Sequence, residues 1–557
     1  MLVFAFRSAA ASMSEQLPAP PPLEPPNAKD DASAWAPLSD RTFRNLWLVW
    51  VGSNISMWMN DVAAAWVMTT LTPSPTLIAL VQTASSLPVF LLGLPSGAAA
   101  DIVDRRRYFM ACQVWLACVA LVIYLVAAAG ALRPLVLLML VFANGIGLAM
   151  RWPVYAAIIP ELVPRSQLSP ALALNAVAVN FSRVAGPLVA GLIISAVGSK
   201  YVFALNFVMA VTAAIALARW KRVSKPSVLP GERFIGAMRL GWLYVRETQR
   251  MRDAITRTSV FFLHATAVFA LLPLVAKAFA GPGGGAGTYT VLLSCLGVGA
   301  ISVATQLQRF RARWNRDQLV FVGTILMALS IAVLAVAPYE VTAGIAMVVA
   351  GASWIMVGNS VTIAAQLALP DWVRARGMAI YQMSIMGGTA LGAFIWGKLA
   401  SLTSVPVSLA ICSATLLIGL GLTRHRTLEG SEDLTPTHPF DEPVPADEID
   451  PHDGPVMVTL EYAIDPTRRA EFESIMAESR SARLRQGAVS WGLFEDVQAP
   501  GRYLEYFACE SWADYLRRFD RFTAQDARLQ EMRFAFHLGT DPPRISRMIA
   551  KHPDDRG

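Results

Sequence analysis

The sequence predicts an all-α membrane protein of about twelve spans in two six-helix halves, followed by a small soluble α+β domain. Three observations predict it. Hydrophobic residues fill 55% of the 557 positions and charged ones only 16%, with a mean hydropathy of +0.46, which is outside the range of soluble globular chains. The net charge is +7, but its basic residues fall mainly in short stretches between apolar runs. That is how loops on one membrane face look, and it argues against a nucleic-acid partner. From Thr427 onward the apolar runs stop and an acidic, proline-rich stretch leads into a segment of soluble character.

In chain order, Met1 to Ser12 carry too short an apolar run for a signal peptide, and either Met1 or Met13 serves as the start. Gln16 to Pro37 are rich in Pro and Ala, so residues 1–40 read as a disordered arm. A span needs about 20 apolar residues. At that length the first half, residues 41–220, offers Leu46 to Thr70, Leu77 to Ala99, Phe109 to Ala129, Leu135 to Pro153, Leu172 to Val197 and Val202 to Ala218. The second half, residues 258–424, offers Thr258 to Ala280, Tyr289 to Leu307, Leu319 to Pro338, Thr342 to Ala368, Gly377 to Leu399 and Val407 to Thr423. Between them, residues 221–257 form a polar loop in which Phe234, Met238, Leu240, Trp242, Leu243 and Val245 predict an amphipathic helix lying on the membrane surface.

One set of loops holds Arg105 to Arg107, Arg165, Arg219 to Arg257, Arg309 to Arg316, Arg374 with Arg376, and Arg424 with Arg426, while the alternate loops hold little beyond Arg133 and Lys200. An even span count with that bias places both termini in the cytoplasm, at a bacterial inner membrane. The run from Pro160 to Arg165 after the fourth span echoes the run from Pro370 to Arg374 after the tenth, as a duplicated unit would.

Residues 425–455 read as a linker and 456–551 as a domain of order strand, helix, strand, strand, helix, strand, which is ferredoxin-like. Val456 to Ile464 alternates; Pro466 opens a helix; Val489 to Glu495 and Arg502 to Glu510 flank a turn at Pro500 and Gly501. Ser511 caps a second helix, and Ile545 to Ile549 closes the sheet.

Charges within apolar runs are functional candidates, because hydrocarbon excludes them unless they face a cavity or a partner. Asp61, Arg183 and His264 stand out. Asp61 reads as a proton or cation site with Arg183 as its charge partner, the alternative being a permanent structural pair; His264 reads more simply as a hydrogen-bonded core histidine. Trp58, Trp66, Met150, Trp152, Phe261, Phe269, Trp354 and Met356 fall on the first, fourth, seventh and tenth spans, and an aromatic, Met-rich wall of that kind suits a bulky apolar substrate, although each residue alone would also suit a lipid-facing position. Small residues such as Gly186, Gly191, Gly297 and Gly388 let helices approach closely. The five cysteines show no disulfide or metal spacing, and no phosphate-binding glycine loop is present, so neither cofactor nor metal is expected.

The loop after the second span, Gly97, Asp101, Asp104, Arg105, Arg106 and Arg107, resembles the gating signature of the major facilitator superfamily, with Asp104 where a glycine is usual. The resemblance implies that Asp101, Arg105 and Arg106 hold the halves together on the cytoplasmic side in the outward-facing state. Gly186, Pro187 and Gly191 resemble the glycine-proline motif of antiporter branches, with Ala190 and Ser182 departing from it. The same superfamily places the first, fourth, seventh and tenth spans around the central cavity. Leu369 to Gln382, Gly387, Gly388, Trp396 and Gly397, together with Gly487 to Leu493 and Ser511, Trp512, Arg521, Thr523 and Asp526, make the chain similar to the transmembrane secretion effector branch, which includes the enterobactin exporter.

That resemblance implies secondary-active, proton-coupled export of siderophores, drugs or similar amphipathic molecules, and no enzyme activity. Import of a nutrient on the same fold stays open. The tail also resembles antibiotic-biosynthesis monooxygenase domains, which implies a dimer surface and keeps monooxygenase-like activity of the tail as an alternative; Tyr503, Tyr506, Trp491, Asp526 and His537 are its few chemical groups, without a metal-ligand spacing or nucleophile-base pattern.

Overall fold

The apolar runs are helices in the computed structural model, which describes residues 35–220, 234–280, 285–430, 433–437, 445 and 447–550. Most of the expected N-terminal arm, part of the central loop and part of the linker therefore lie outside the described residues, as do the side chains of residues 98, 100–102, 156, 157, 160, 165, 169, 234, 235 and 237.

The first half comprises α1 (Arg41–Leu71), α2 (Pro75–Ile102), α3 (Arg105–Ala128), α4 (Pro134–Leu162), α5 (Leu168–Ala196) and α6 (Lys200–Arg219). After α7 (Phe234–Glu247), the second half comprises α8 (Gln249–Ala280), α9 (Ala286–Arg311), α10 (Arg316–Val336), α11 (Glu340–Leu367), α12 (Asp371–Leu402) and α13 (Val405–Thr423). Among the described residues, 11 helices are long and apolar enough to cross a membrane, one fewer than the sequence leads one to expect. The exception is α1, whose middle carries Ser53, Asn54, Ser56, Asn60 and Asp61.

The packing shows the duplication. In the first half α1 packs on α5, α2 on α4 and α3 on α6; in the second α8 packs on α12, α9 on α11 and α10 on α13. Counting past α7, these are the same three pairs. Between the halves α2 lies along α12 and α5 along α9, which are counterparts again. The echoed runs at Pro160 and Pro370 sit at the equivalent α4–α5 and α11–α12 turns.

Helix α4 continues through Pro153 to Leu162, beyond the span end that the sequence suggests. Proline cannot donate to the carbonyl four residues back, here Ala149, and the Ser96 hydroxyl of α2 donates to that oxygen instead, at 3.0 Å. A neighbouring helix thus satisfies the group that proline leaves open, which a membrane interior requires.

The tail folds as β1 (Val456–Ala463), α14 (Arg469–Arg485), β2 (Ser490–Glu495), β3 (Arg502–Cys509), α15 (Trp512–Asp520), α16 (Ala524–Phe534) and β4 (Arg544–Ile549). The second expected helix is two, because Thr523 starts a new capping box with Asp526. The sheet has the order β2-β3-β1-β4 and every pairing is antiparallel. Phe472 and Met476 of α14 pack with Val458, Leu460 and Phe507 of the sheet.

Helix α7 does form, but its buried Leu240, Tyr244 and Val245 are covered by protein rather than left for a membrane surface: α7 packs on α12 and α14. Tyr244 meets Trp372 edge to face at 5.6 Å, Arg239 pairs with Glu510 at 2.5 Å, and Ser481 donates to Glu247 at 3.0 Å. The apolar stripe of α7 is therefore the seat on which the tail docks.

Candidate functional site

Among the described helix residues Asp61 is the carboxylate farthest from a helix end. It is partly exposed, and Ser85 of α2 donates to its Oδ1 at 3.0 Å. Tyr289 of α9 lies within its electrostatic reach and stacks on Trp66 of α1 at 5.7 Å. The acid thus stands where both halves meet.

Asp61 and Arg183 do not form a direct ion pair. Arg183 of α5 instead lies over the Trp58 ring at 5.7 Å, and its Nε has no hydrogen-bond partner. Trp58 and Asp61 are one helical turn apart on α1, so the cation and the acid border the same stretch without touching. A second buried cation escaped the sequence reading. Arg151 of α4 is 1% exposed, lies over Trp50 at 5.0 Å and reaches Asn54 at 3.4 Å, with no carboxylate in ion-pair distance among the described residues. Because Pro153 looks like a span end, Arg151 reads as a helix-terminal charge, whereas α4 carries it deep into the first half. Beside it Gln113 donates to Ser53 at 2.7 Å and Ser56 to Asn206 at 2.9 Å, around a cavity of about 20 Å³, room for about one water.

The aromatic candidates divide. Phe261, Trp66 and His264 are buried in packing. His264 donates Nδ1–H to the Val260 carbonyl at 2.7 Å and lies 5.4 Å from the Trp396 ring, a structural role. Trp58 and Trp354 are half-buried, and Trp354 gathers Phe262 at 5.0 Å and Phe269 at 4.9 Å.

The glycine-proline segment works in two directions. A Cβ on Gly186 would strike Trp58 Cβ within the first half, whereas one on Gly191 would strike Thr290 of α9 in the other half. The Ser182 hydroxyl donates to the Ala178 carbonyl of its own helix at 2.7 Å, with the Val51 carbonyl of α1 at 3.2 Å, and Pro187 lies inside α5. Further bonds between the halves join Lys277 to the Thr69 carbonyl, Thr76 to Gly397 at 3.4 Å and Thr83 to Ala390 at 2.9 Å. Most lie toward the end of the bundle opposite the arginine-rich loops. Gly191→Leu is expected to wedge α5 from α9, at a cost of about 1–3 kcal/mol to that closure. The measurement is the labelling rate, by an impermeant maleimide, of a cysteine placed at Gly287, where an added Cβ meets nothing; in a background without the native cysteines the rate rises severalfold.

At the other end, Asp104 caps α3 by accepting from Arg107 N at 2.9 Å, a local reason for an acid where a glycine is usual. Arg105 pairs with Glu161 of α4 at 2.6 Å, and Arg106 donates to the carbonyls of Leu217 and Ala218 of α6. These bonds all fall within the first half. Gly97 lies in α2 with open space around it, Arg107 is exposed, and the Asp101 side chain is outside the described residues.

In the tail, the chemical groups hold structure. His537 Nδ1 accepts from Ala463 N at 3.0 Å, Asp526 completes the Thr523 capping box, Tyr506 stacks on Phe494 at 5.8 Å, and Tyr503 donates to Glu473 at 3.4 Å. Trp491 donates to Glu505 at 3.0 Å. Glu505, fully buried on β3, also accepts from Tyr462 at 3.0 Å and pairs with Arg483 at 3.1 Å and Arg533 at 3.6 Å. Burial alone would raise its carboxyl, but the two guanidiniums and these donors hold it down at about 2. Among the described residues no group of three or more His, Cys, Asp or Glu is placed to hold a metal ion.

The profile of the family described as transmembrane secretion effector matches residues 32–554. Macrolide efflux protein A of Streptococcus pyogenes is 23% identical over 232 residues, 41% of this chain and 57% of that protein, so the chain spans little more than half of that relative's length. Two solved structures share the fold. The nucleoside transporter NupG superposes with a TM-score of 0.56 at 11% identity, over 70% of this chain and 99% of that one. An inward-facing, unoccupied bacterial homologue of the human lysosomal transporter Spinster gives 0.53 at 14% identity, over 69% and 96%. With helices paired as a duplicated unit and a profile match over nearly its whole length, the chain belongs to the transmembrane secretion effector family and is a multi-pass membrane protein of the major facilitator type.

Proposed function

We propose that this protein is a proton-coupled exporter of amphipathic small molecules, such as drugs of the macrolide kind or siderophores. Its bundle is read as twelve spans, α1 included, in a bacterial inner membrane with both termini in the cytoplasm. The observation that carries this reading is Asp61, a partly open carboxylate deep in a span, bound to Ser85 and next to the contact between the halves. A carboxylate so placed can take up a proton when the halves rearrange around it and lose it when they return. Arg183 and Arg151 are two intramembrane cations without an acid in ion-pair distance among the described residues, as expected of groups that face a cavity or a substrate. The half-buried rings of Trp58 and Trp354 suit an apolar, ring-bearing cargo. Asp101, Arg105, Arg106 and Arg107 are assigned to the gate at the arginine-rich end, with the Arg105–Glu161 bond as its arrangement when the other end is closed.

The relative's function as an efflux protein favours export over nutrient import. The tail is read as a ferredoxin-like accessory domain, with its sheet as a dimer surface. The test compares cells with and without the protein for accumulation of a panel of dyes, macrolides and ferric siderophores. The expected result is lower accumulation of at least one class in expressing cells, abolished by a protonophore; equal accumulation throughout, or a lowering that survives the protonophore, would contradict it.

A further inference from the structure

The core of the tail is hollow. Between the helix-facing side of β1, β3 and β4 and the helices α14 to α16 lies a cavity of about 290 Å³, at the small end of the range of ligand pockets, about 300–1,000 Å³. Its walls are apolar and aromatic, with Leu460, Phe507 and Phe522 among them, yet four arginines face it: Arg483, Arg518, Arg533 and Arg547.

One acid answers these four charges. Glu505 pairs with Arg483 and Arg533, whereas neither Arg518 nor Arg547 has a carboxylate in ion-pair distance among the described residues. Arg518 is 6% exposed and lies 4.0 Å over the Phe507 ring. The Nε atoms of Arg518 and Arg533, both on buried residues, have no hydrogen-bond partner. Burial, and to a lesser extent neighbouring Arg483, lower the Arg518 pKa to about 10, so it stays a cation at neutral pH. A buried cation without an acid is costly, and Arg518 is one, lining open space with rings beside it, whereas Arg547 is exposed and donates to the Tyr515 hydroxyl at 2.6 Å. An anion on a flat apolar body fits both features, the charge meeting the guanidiniums and the ring meeting the apolar wall at Leu460 and Phe522.

The cavity wall also continues to the transporter. Gln486 accepts from Arg518 at 2.9 Å through its side chain and from Arg521 at 3.0 Å through its carbonyl, and Arg521 lies over Trp372, at the start of α12 just after the α11–α12 turn, at 5.1 Å.

We propose that the tail cavity is a binding site for a small aromatic carboxylate or similar planar anion, with Gln486 linking its occupancy to the α11–α12 turn. The site stands independently of the transport reading. The test uses the full chain in lipid nanodiscs, with 2-naphthoate as probe and 2-naphthalenemethanol as its neutral counterpart, measured by equilibrium dialysis. Saturable binding of one naphthoate per chain is expected, at least tenfold weaker for the alcohol. Arg518→Met is expected to weaken naphthoate binding at least tenfold, and so is Ile545→Trp, which plugs the cavity mouth from a residue 40% exposed and so decides the matter if the arginine variant fails to fold. Absent binding, equal binding of the alcohol, or naphthoate binding unchanged by Ile545→Trp would overturn the site; the last result would place the probe in the membrane bundle. Hydrogen exchange across residues 368–375 is expected to change at least twofold with naphthoate, and not in Gln486→Ala. Unchanged exchange with binding intact would overturn the link.

Discussion

Asp61→Asn is expected to bring protonophore-sensitive export down to the level of cells without the protein, while the purified variant keeps its folding and its substrate affinity within a fewfold of wild type. Asparagine keeps the size of the side chain and can still bond to Ser85, which contacts Asp61 at 3.0 Å. What it loses is the ability to take and release a proton. A structural role for Asp61 predicts the reverse pattern, a lowered melting temperature with residual proton-driven transport. The clean separation arises because Asp61 has no ion-pair partner among the described residues whose loss would unfold the bundle.

Glu505→Gln carries the largest expected effect on stability. Removing one member of a buried charge cluster leaves the others uncompensated and costs about 3–5 kcal/mol, a large share of the about 5–15 kcal/mol that holds a domain folded. Here it leaves Arg483 and Arg533 facing each other without their acid. Hydrogen exchange across β3 in the full chain is the readout, with fast exchange expected in the variant at neutral pH. The wild type has its own signature. The carboxyl is held at about 2 in the fold against an ordinary 4.5, so its contribution is complete above pH 4.5 and is lost as the pH falls from there toward 2. Protection of β3 is therefore expected to decline across that window, and the Gln variant to lack this dependence.

Most of the spans are legible in the sequence because span length is set by the bilayer rather than by tertiary detail. The duplication shows as a short echo at Pro160 and Pro370, and the structure extends it to three matching helix pairs in each half. Legibility fails where tertiary partners override local signals. Pro153 marks a helix end only if nothing replaces its missing donor, and Ser96, distant in sequence, frees the helix to run on and bury Arg151. Polar residues in α1 serve contacts inside the first half, such as Ser56 with Asn206, and thereby lower its apolar density. The stripe of α7 has the period of a membrane-surface helix, and only the fold shows that protein covers its Leu240, Tyr244 and Val245 while Trp242 stays exposed. Glu505 had a readable signal, an acid in the inward phase of β3, with Tyr503, Phe507 and Cys509 buried on the same side. Its partners Arg483 and Arg533 come from helices 22 or more residues away.

The most direct test of the account follows protons and substrate together. Protein reconstituted into liposomes with a trapped pH indicator is given, without any imposed gradient, an exported compound found in the cell assay. The account predicts that wild-type protein moves protons opposite to the compound, and that Asp61→Asn binds the compound but moves no protons. Proton movement undiminished in Asp61→Asn, or transport by wild type with no proton movement at all, would contradict it.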